Sequence, residues 1–371
     1  MTKPPLRVGL IGSGFMGKAH ALGYTSAARV FDLPFDIVLD TLADITTELA
    51  ETAARRFGFQ KFTDNWRDII ADPDIDVVNI TSPNALHKEM SMAAIDAGKH
   101  VYCEKPLAPL ADDAAEMTRA AEAKGVKTQV GFNYLCNPVF GLARDMIYSG
   151  ELGEIHTFRG YHAEDYMTDP NAPYAFRHDP VGGGAFADLG SHVLATAEFL
   201  CGRITRVFGD AINVIDRRPD GRGGFKTVEV DDISRALLRF ESGATGLAEA
   251  SWIANGRKMS HDFEVYGSKG GLIFSGERLS ELQFYEGSTP SSRAGFRTIL
   301  AGPDHPPYGN FILAPGHQIS FNDLKTVEVA RFVQAIGGLH DEPFNFRAGL
   351  RIQELVEAVQ KSSEAEQWLK V

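Results

Sequence analysis

Lys105, Asp188 and His192 are the side chains whose types and spacing suggest chemistry. Asp188 and His192 stand four residues apart in GGGAFADLGSHVLATAEFL, residues 182–200, where Gly182 to Gly184 give a flexible or closely approached turn before an expected helix. Side chains at i and i+4 of a helix share one face, about one turn apart. A carboxylate near an imidazole favours its charged form and raises its basicity toward what a general base needs near neutral pH. The same spacing also suits a surface or capping pair. Lys105 follows a short strand, His100 to Cys103, in the order Glu104, Lys105, Pro106. Open α/β sheets bind ligands at the carboxyl ends of their strands, although a lysine there is usually just solvated.

These residues need a scaffold, and RVGLIGSGFMGKAH, residues 7–20, indicates which one. A strand from Val8 to Ile11 runs into a glycine turn and then a helix from about Met16 to Arg29. Gly12, Gly14 and Gly17 have the spacing G-x-G-x-x-G, with Phe15 and Met16 opening the helix. The first glycine permits the tight turn, the second lets backbone approach a pyrophosphate, and the third allows close helix–strand packing. The unpaired N–H groups and dipole at the helix N-terminus favour the pyrophosphate's negative charge. A second strand is expected from Phe35 to Ala43, followed by a helix from Thr46 to Phe57. Asp40 and Asp44 are both candidates for the acidic residue that holds the adenosine ribose. Asp44 is the better placed, at the strand's end, although it also fits a helix cap. No arginine follows it to accept a 2′-phosphate, which favours NAD over NADP.

DVVNIT, residues 76–81, is the apolar run of a buried parallel strand, with Ser82, Asn84 and His87 just beyond its end. A helix from Ala85 to Ala97 and a short strand from Val126 to Phe132 complete this half. The second half reads as strands joined by short turns: Ile155–His162, Arg206–Val214, Ile233–Phe240, Ala244–Trp252, Asp262–Tyr266, Leu272–Phe274 and Leu282–Tyr285. That grammar argues for a mostly antiparallel sheet. Segments 219–224 and 302–316 read as loops, with His305 and His317 as solvated loop histidines. Helices at about 322–336 and 347–364 have packing roles. The fold class is therefore an α/β Rossmann domain with a parallel doubly wound sheet, residues 1–130, and an α+β domain with a large, open, mostly antiparallel sheet, residues 131–371. The terminal helices are free to pack back on the first domain.

With 371 residues, 44% hydrophobic and 23% charged, the chain is too long for one ordinary core. A net charge of −12 argues against nucleic acid or an anionic membrane as the main partner. Cys103, Cys136 and Cys201 are odd in number and widely spaced, which suggests no disulfide framework or zinc site and fits a reducing cytoplasm. No stretch approaches the ~18 apolar residues of a membrane span.

GLIGSGFMGKAH, TSPNALHKEM and VYCEKPLA together resemble the glucose-fructose oxidoreductase, inositol dehydrogenase and MocA (Gfo/Idh/MocA) family, and the resemblance covers nearly the whole chain. It implies that Lys105 reaches the substrate hydroxyl beside the nicotinamide. It also implies that Glu104 approaches the nicotinamide ribose and that Ser82, Asn84 and His87 line the cofactor's path. Asp188-Leu189-Gly190-Ser191-His192 matches the family's D-x-G-x-H helix position by position, making His192 the general base and Asp188 its orienting partner. Ala195 stands where many relatives carry a further aspartate, and Leu135 where an arginine is common, so substrate contacts of arginine-bearing relatives do not carry over. Asn133 in GFNYLCNP is kept and approaches the substrate; Asp165 and Arg177 are divided between pocket and surface. TSPNALHKEM, GFNYL, HAEDYM and APGHQISFNDLK are similar to a branch whose members oxidise an anhydrosugar at its third carbon. The implied function is NAD-dependent oxidation of a secondary hydroxyl of a sugar, anhydrosugar or cyclitol, by a homodimer or homotetramer. An NADPH-dependent reductase, an inositol dehydrogenase and a non-catalytic cofactor-sensing protein are the alternatives. No metal is needed for this scheme.

Overall fold

The computed structural model describes residues 3–371. Packing divides the chain into two compact units, Met1–Cys136 with Ser320–Arg351, and Asn137–Ile319 with Ile352–Val371.

The first unit begins with β1 (Pro5–Ile11), α1 (Phe15–Val30), β2 (Asp36–Ala43), α2 (Thr47–Phe57), β3 (Lys61–Thr63) and α3 (Trp66–Ala71). It continues with β4 (Val77–Ile80), α4 (His87–Asp96), β5 (His100–Cys103), α5 (Ala111–Lys124) and β6 (Thr128–Val130). The six strands pair in the order β3-β2-β1-β4-β5-β6, all parallel. Every residue of β4 is buried, as a strand covered on both faces by helices requires. The short β3, α3 and α5 lie between the expected elements; a three-residue strand such as β3 is too short to show a period.

The core of this unit is closed by a helix from far along the chain, Phe321–Ile336. Its Val329, Ala330, Phe332 and Val333 pack with Leu6, Val8, Tyr24, Val77 and Tyr102. A capping box of Ser320 and Asp323 starts it. A Cβ on Gly23 would meet Lys325 O at 3.2 Å, so α1 and this helix approach at backbone distance.

The helix also carries charge into the core. Lys325 Nζ donates to Glu328 Oε2 at 2.6 Å, to Glu104 Oε1 at 2.9 Å and to the Tyr102 hydroxyl at 3.1 Å, and all four residues are buried. His20 Nε2 lies 2.7 Å from Glu104 Oε1, and its Nδ1 3.0 Å from Asn79 Oδ1. Tyr102 donates a second short bond to Glu328. Burial alone would raise the Glu104 carboxyl, yet Lys325 and His20 hold it below the usual carboxylate range. Glu328 is pushed up to about 7, chiefly by burial.

The second unit supplies α6 (Pro138–Tyr148), β7 (Ile155–Ala163), α7 (Ser191–Cys201), β8 (Ile204–Ile212), β9 (Arg217–Pro219), β10 (Phe225–Thr227), β11 (Ile233–Phe240) and β12 (Thr245–Ser251). β13 (Ser260–Gly267), β14 (Gly270–Phe274), β15 (Glu281–Glu286), β16 (Arg297–Leu300), the one-turn α8 (Tyr308–Phe311) and β17 (Leu369–Lys370) follow, with the core helix of the first unit as α9 and Phe346–Ala365 as α10. Nine strands form one sheet, in the order β16-β15-β14-β13-β7-β12-β11-β8-β17. All neighbours are antiparallel except β7 and β12. Segment 219–224 is the tip of the β9–β10 hairpin. The loop after β16 is tied by its own side chains: His305 Nδ1 accepts from Gly302 N, and Tyr308 donates to Ala314 O and His317 O. His305 thus forms a turn while staying partly exposed.

Lys325→Met removes the cation between two buried carboxylates and is expected to lower unfolding stability by about 3–5 kcal/mol, read from denaturant curves. Glu328 binds its proton more tightly folded than unfolded, so stability falls as pH rises from its ordinary 4.5 to about 7. Glu328→Gln abolishes that part of the decline in a stability–pH series.

Candidate active site

In the first unit the glycine loop joins β1 to α1. Gly12 takes φ +94°, in the left-handed region, and a Cβ on Gly17 would stand 2.1 Å from Gly12 O. Around Gly14 an added Cβ would meet nothing within 4 Å, and Gly14 caps α1 without a side-chain bond. The three glycines thus do the separate tasks expected of them: turn, open approach and close packing. Phe15 is 75% exposed, beside Phe321 with ring centroids 5.5 Å apart.

Asp44 lies just beyond β2. Its Oδ2 accepts from Ser13 N at 2.8 Å and from the Ser13 hydroxyl, and its Oδ1 from Ile45 N. The carboxylate therefore braces the glycine loop. Asp40 is buried mid-strand and paired with Arg7 and Lys61. These residues fit a dinucleotide: an open helix N-terminus, a glycine with room beside it and an acid at the end of β2.

At the end of β4, Ser82 Oγ is buried with no hydrogen-bond partner among the described residues, as is Asn133 Nδ2 beyond β6. Asn84 is partly exposed. His87 is fully buried, its Nδ1 2.8 Å from Pro106 O and its Nε2 2.9 Å from Ser82 O. It ties the loops after β4 and β5 together. The Glu104 carboxylate is turned inward by the cation on α9 and by His20. Its other oxygen accepts from Lys105 N at 3.2 Å. Lys105 is partly exposed, immediately beyond this anchored residue.

In the second unit the glycine run leads into the predicted helix by an unusual route. Phe186–Gly190 is a π-helical turn, and α7 starts at Ser191. Gly184, at φ +103°, lies beneath Asp231, whose Oδ1 an added Cβ would approach to 2.2 Å. Asp231 Oδ2 accepts from Phe186 N at 2.8 Å, and burial pushes its carboxyl up to about 6. Neighbouring Asp232 accepts from the Trp252 indole at 2.6 Å. These two aspartates, which position the turn, carry no motif in the sequence.

Asp188 Oδ2 accepts from the Tyr166 hydroxyl at 2.7 Å and from Arg177 Nε at 2.9 Å. Burial, then the Asp188 charge, raises the Tyr166 phenol above its ordinary range, so it stays protonated and donates to Asp188. Arg177, undecided between pocket and surface by sequence, thus belongs with Asp188. Asp165 does not join them; its carboxylate takes Lys258 Nζ and Gly256 N.

His192 is 6% exposed and lies in a group of histidines that the sequence did not single out. The rings of His162 and His261 centre 5.7 and 6.0 Å from it, and those two stack at 4.9 Å with 13° between planes. His162 and His261 are cross-strand partners on β7 and β13, a relation legible only once the register is known. Burial, then the neighbouring His162, pulls the His261 imidazole well below its ordinary range, so it is neutral. Among the described residues no group of three or more His, Cys, Asp and Glu could hold a metal ion, and no helix is long and apolar enough to cross a membrane.

Residues 6–132 match the family described as an oxidoreductase family with an NAD-binding Rossmann fold, and residues 140–273 match the GFO/IDH/MocA C-terminal domain. A levoglucosan dehydrogenase of Pseudarthrobacter phenanthrenivorans is 38% identical over 99% of this chain and 98% of its own. A levoglucosan dehydrogenase solved with NADH and levoglucosan superposes with a TM-score of 0.96 at 39% identity, covering 99% of each chain. An NAD-binding oxidoreductase from Klebsiella pneumoniae gives 0.95 at 43% identity, also over 99% of each. The glycine loop and the two-unit architecture have their explanation in that likeness: the chain belongs to the Gfo/Idh/MocA family of NAD-binding oxidoreductases.

Proposed function

We propose that the protein oxidises one secondary hydroxyl of an anhydrosugar of the levoglucosan kind to a ketone, with NAD as hydride acceptor. The whole-length likeness to a levoglucosan dehydrogenase solved with NADH and levoglucosan carries this reading. Other sugars and cyclitols are the nearest competing substrates.

Gly12, Gly14 and Gly17 with the start of α1 would hold the pyrophosphate, and Asp44 the adenosine ribose. The nicotinamide, when bound, supplies the hydride chemistry. On the protein's side, His192 takes the hydroxyl proton as general base. Lys105 donates to the same oxygen and stabilises the alkoxide-like charge that develops as hydride leaves carbon. Asp188, held by Tyr166 and Arg177, is a fixed negative charge on the turn that leads into the base's helix. Asn133 and Ser82 offer polar groups for substrate and cofactor. Asp44 also disfavours a 2′-phosphate by like-charge repulsion, which favours the oxidative NAD reading over an NADPH reductase. We further propose a homodimer or homotetramer joined through the open sheet, working in a reducing cytoplasm where the three thiols stay free.

The purified protein is expected to form NADH with NAD and levoglucosan faster than with myo-inositol, scyllo-inositol, glucose or xylose. Lys105→Ala and His192→Ala should each lose about 10²-fold or more in kcat while binding NAD normally by fluorescence titration. NAD binding without turnover of any polyol would instead favour a sensing protein. Asp44→Ala should weaken NAD binding about tenfold or more through loss of charged hydrogen bonds and bring the NAD and NADP affinities together.

A further inference from the structure

Tyr166 and Arg177, the two donors to Asp188, lie in a segment, residues 164–179, with no regular secondary structure apart from the short turn Phe176–His178. Such a stretch keeps one conformation only if the rest of the chain holds its backbone, because each ordered residue costs conformational entropy. The hold comes from β9 and β10, a hairpin that pairs over three residues and stands outside the nine-stranded sheet. A lone two-stranded hairpin is marginally stable by itself. Hairpin and segment therefore depend on the contacts between them.

The chief contact is Arg218. Successive residues of a strand face opposite ways. Arg217 lies over the Phe225 ring, its guanidinium carbon 5.4 Å from the centroid, whereas Arg218 is fully buried. Arg218 Nη1 donates to Asp169 O at 2.8 Å and Nη2 to Met167 O at 2.7 Å. A guanidinium stays charged when buried, at a cost that only hydrogen bonds offset, so mere filling of space would favour an apolar side chain here. The rigid fork suits a grip on two carbonyls at once. Met167, next to Tyr166, is also held from the other direction, its N donating to Trp252 O at 3.0 Å.

The same hairpin reaches the Arg177 end of the segment. Pro219 O accepts from Tyr174 N at 2.8 Å, and Lys226 Nζ lies 3.7 Å from the Tyr174 ring centroid. The Tyr174 hydroxyl in turn donates to His178 O at 2.7 Å, one residue beyond Arg177. Every link from the hairpin to Asp188 is thus a hydrogen bond or a peptide neighbour.

We propose that Arg218 is a positioning residue of the active site: its grip on the Met167 and Asp169 carbonyls sets Tyr166, and through Tyr166 the Asp188 carboxylate on the turn leading to His192. This rests on the dehydrogenase reading. Arg218 touches neither substrate nor cofactor in this scheme.

Arg218→Met keeps the length of the side chain and removes the fork. In steady-state oxidation of the best polyol it is expected to lower kcat about tenfold or more, as small misplacements of a catalytic group do, with KM for NAD nearly unchanged. Two residues that act through one chain of contacts give non-additive effects. In a Tyr166→Phe background Arg218→Met should therefore change kcat by less than about twofold, a result that a purely structural role does not produce. Wild-type kcat in Arg218→Met overturns the proposal, as does a loss confined to KM or one that persists undiminished in the Tyr166→Phe background. Should Arg218→Met fail to fold, Arg218→Lys, which keeps the charge but has no fork, is read in the same cycle with the same criteria. Wild type inactive on every polyol would defeat the dehydrogenase reading and this proposal with it, whereas an active wild type with an indifferent variant defeats the proposal alone.

Discussion

One buried lysine holds the first unit together. Lys325 arrives on a helix 221 residues beyond Glu104, and its ammonium group lies between two carboxylates and a phenol with no access to water. Burial of so much charge is tolerable only if each group has its partner, and loss of one leaves the others uncompensated. The arrangement therefore demands that α9 dock in a single register on the parallel sheet. It fixes Glu104 and, through the peptide that follows, the starting point of the Lys105 side chain. Gly131 belongs to the same constraint, since a Cβ there would fall 2.5 Å from the Glu104 carboxylate.

The second unit reaches a comparable end by other means. There the charges are aspartates on backbone N–H groups and a single indole, not a salt-bridged cluster. Asp231 seizes the turn before α7, Asp232 holds Trp252 and the start of the segment after β8, and Gly184 leaves room for Asp231. The π turn adds one residue to a helical circuit, and such turns are frequent at functional sites. Here it directs Asp188 to Tyr166 and Arg177. Carboxylate, phenol and guanidinium then form a unit that stays put because each member limits the others' rotamers.

The Rossmann half was legible because its signals are local. A glycine spacing, a strand of apolar residues and an acid at a strand's end each fit within a few neighbouring positions, and His100–Cys103 emerged with its bounds intact. The antiparallel strands could be placed along the chain from their turns, though neither their order in the sheet nor their register could. Hence the pairing of His162 with His261 and the nearness of both to His192 stayed hidden. The partners of Glu104 and His87 stayed hidden for the same reason. Their partners, Lys325 and the backbone carbonyls of Ser82 and Pro106, are fixed by tertiary docking rather than by spacing along the chain. A lysine at a helical core position, with Glu328 three residues later, was the one signal that α9 carries more than apolar packing.

Buried polar atoms without partners separate stability from function in this molecule. Each normally costs about 1–3 kcal/mol, so a fold keeps few of them without cause. Glu328 Oε1 is one, on a carboxyl group whose other oxygen already takes Lys325 and Tyr102. Ser82 Oγ and Asn133 Nδ2 are others. Both stand just beyond the carboxyl ends of parallel strands, β4 and β6, the edge at which open α/β sheets receive ligands. Both groups thus share that edge with the glycine loop at the end of β1.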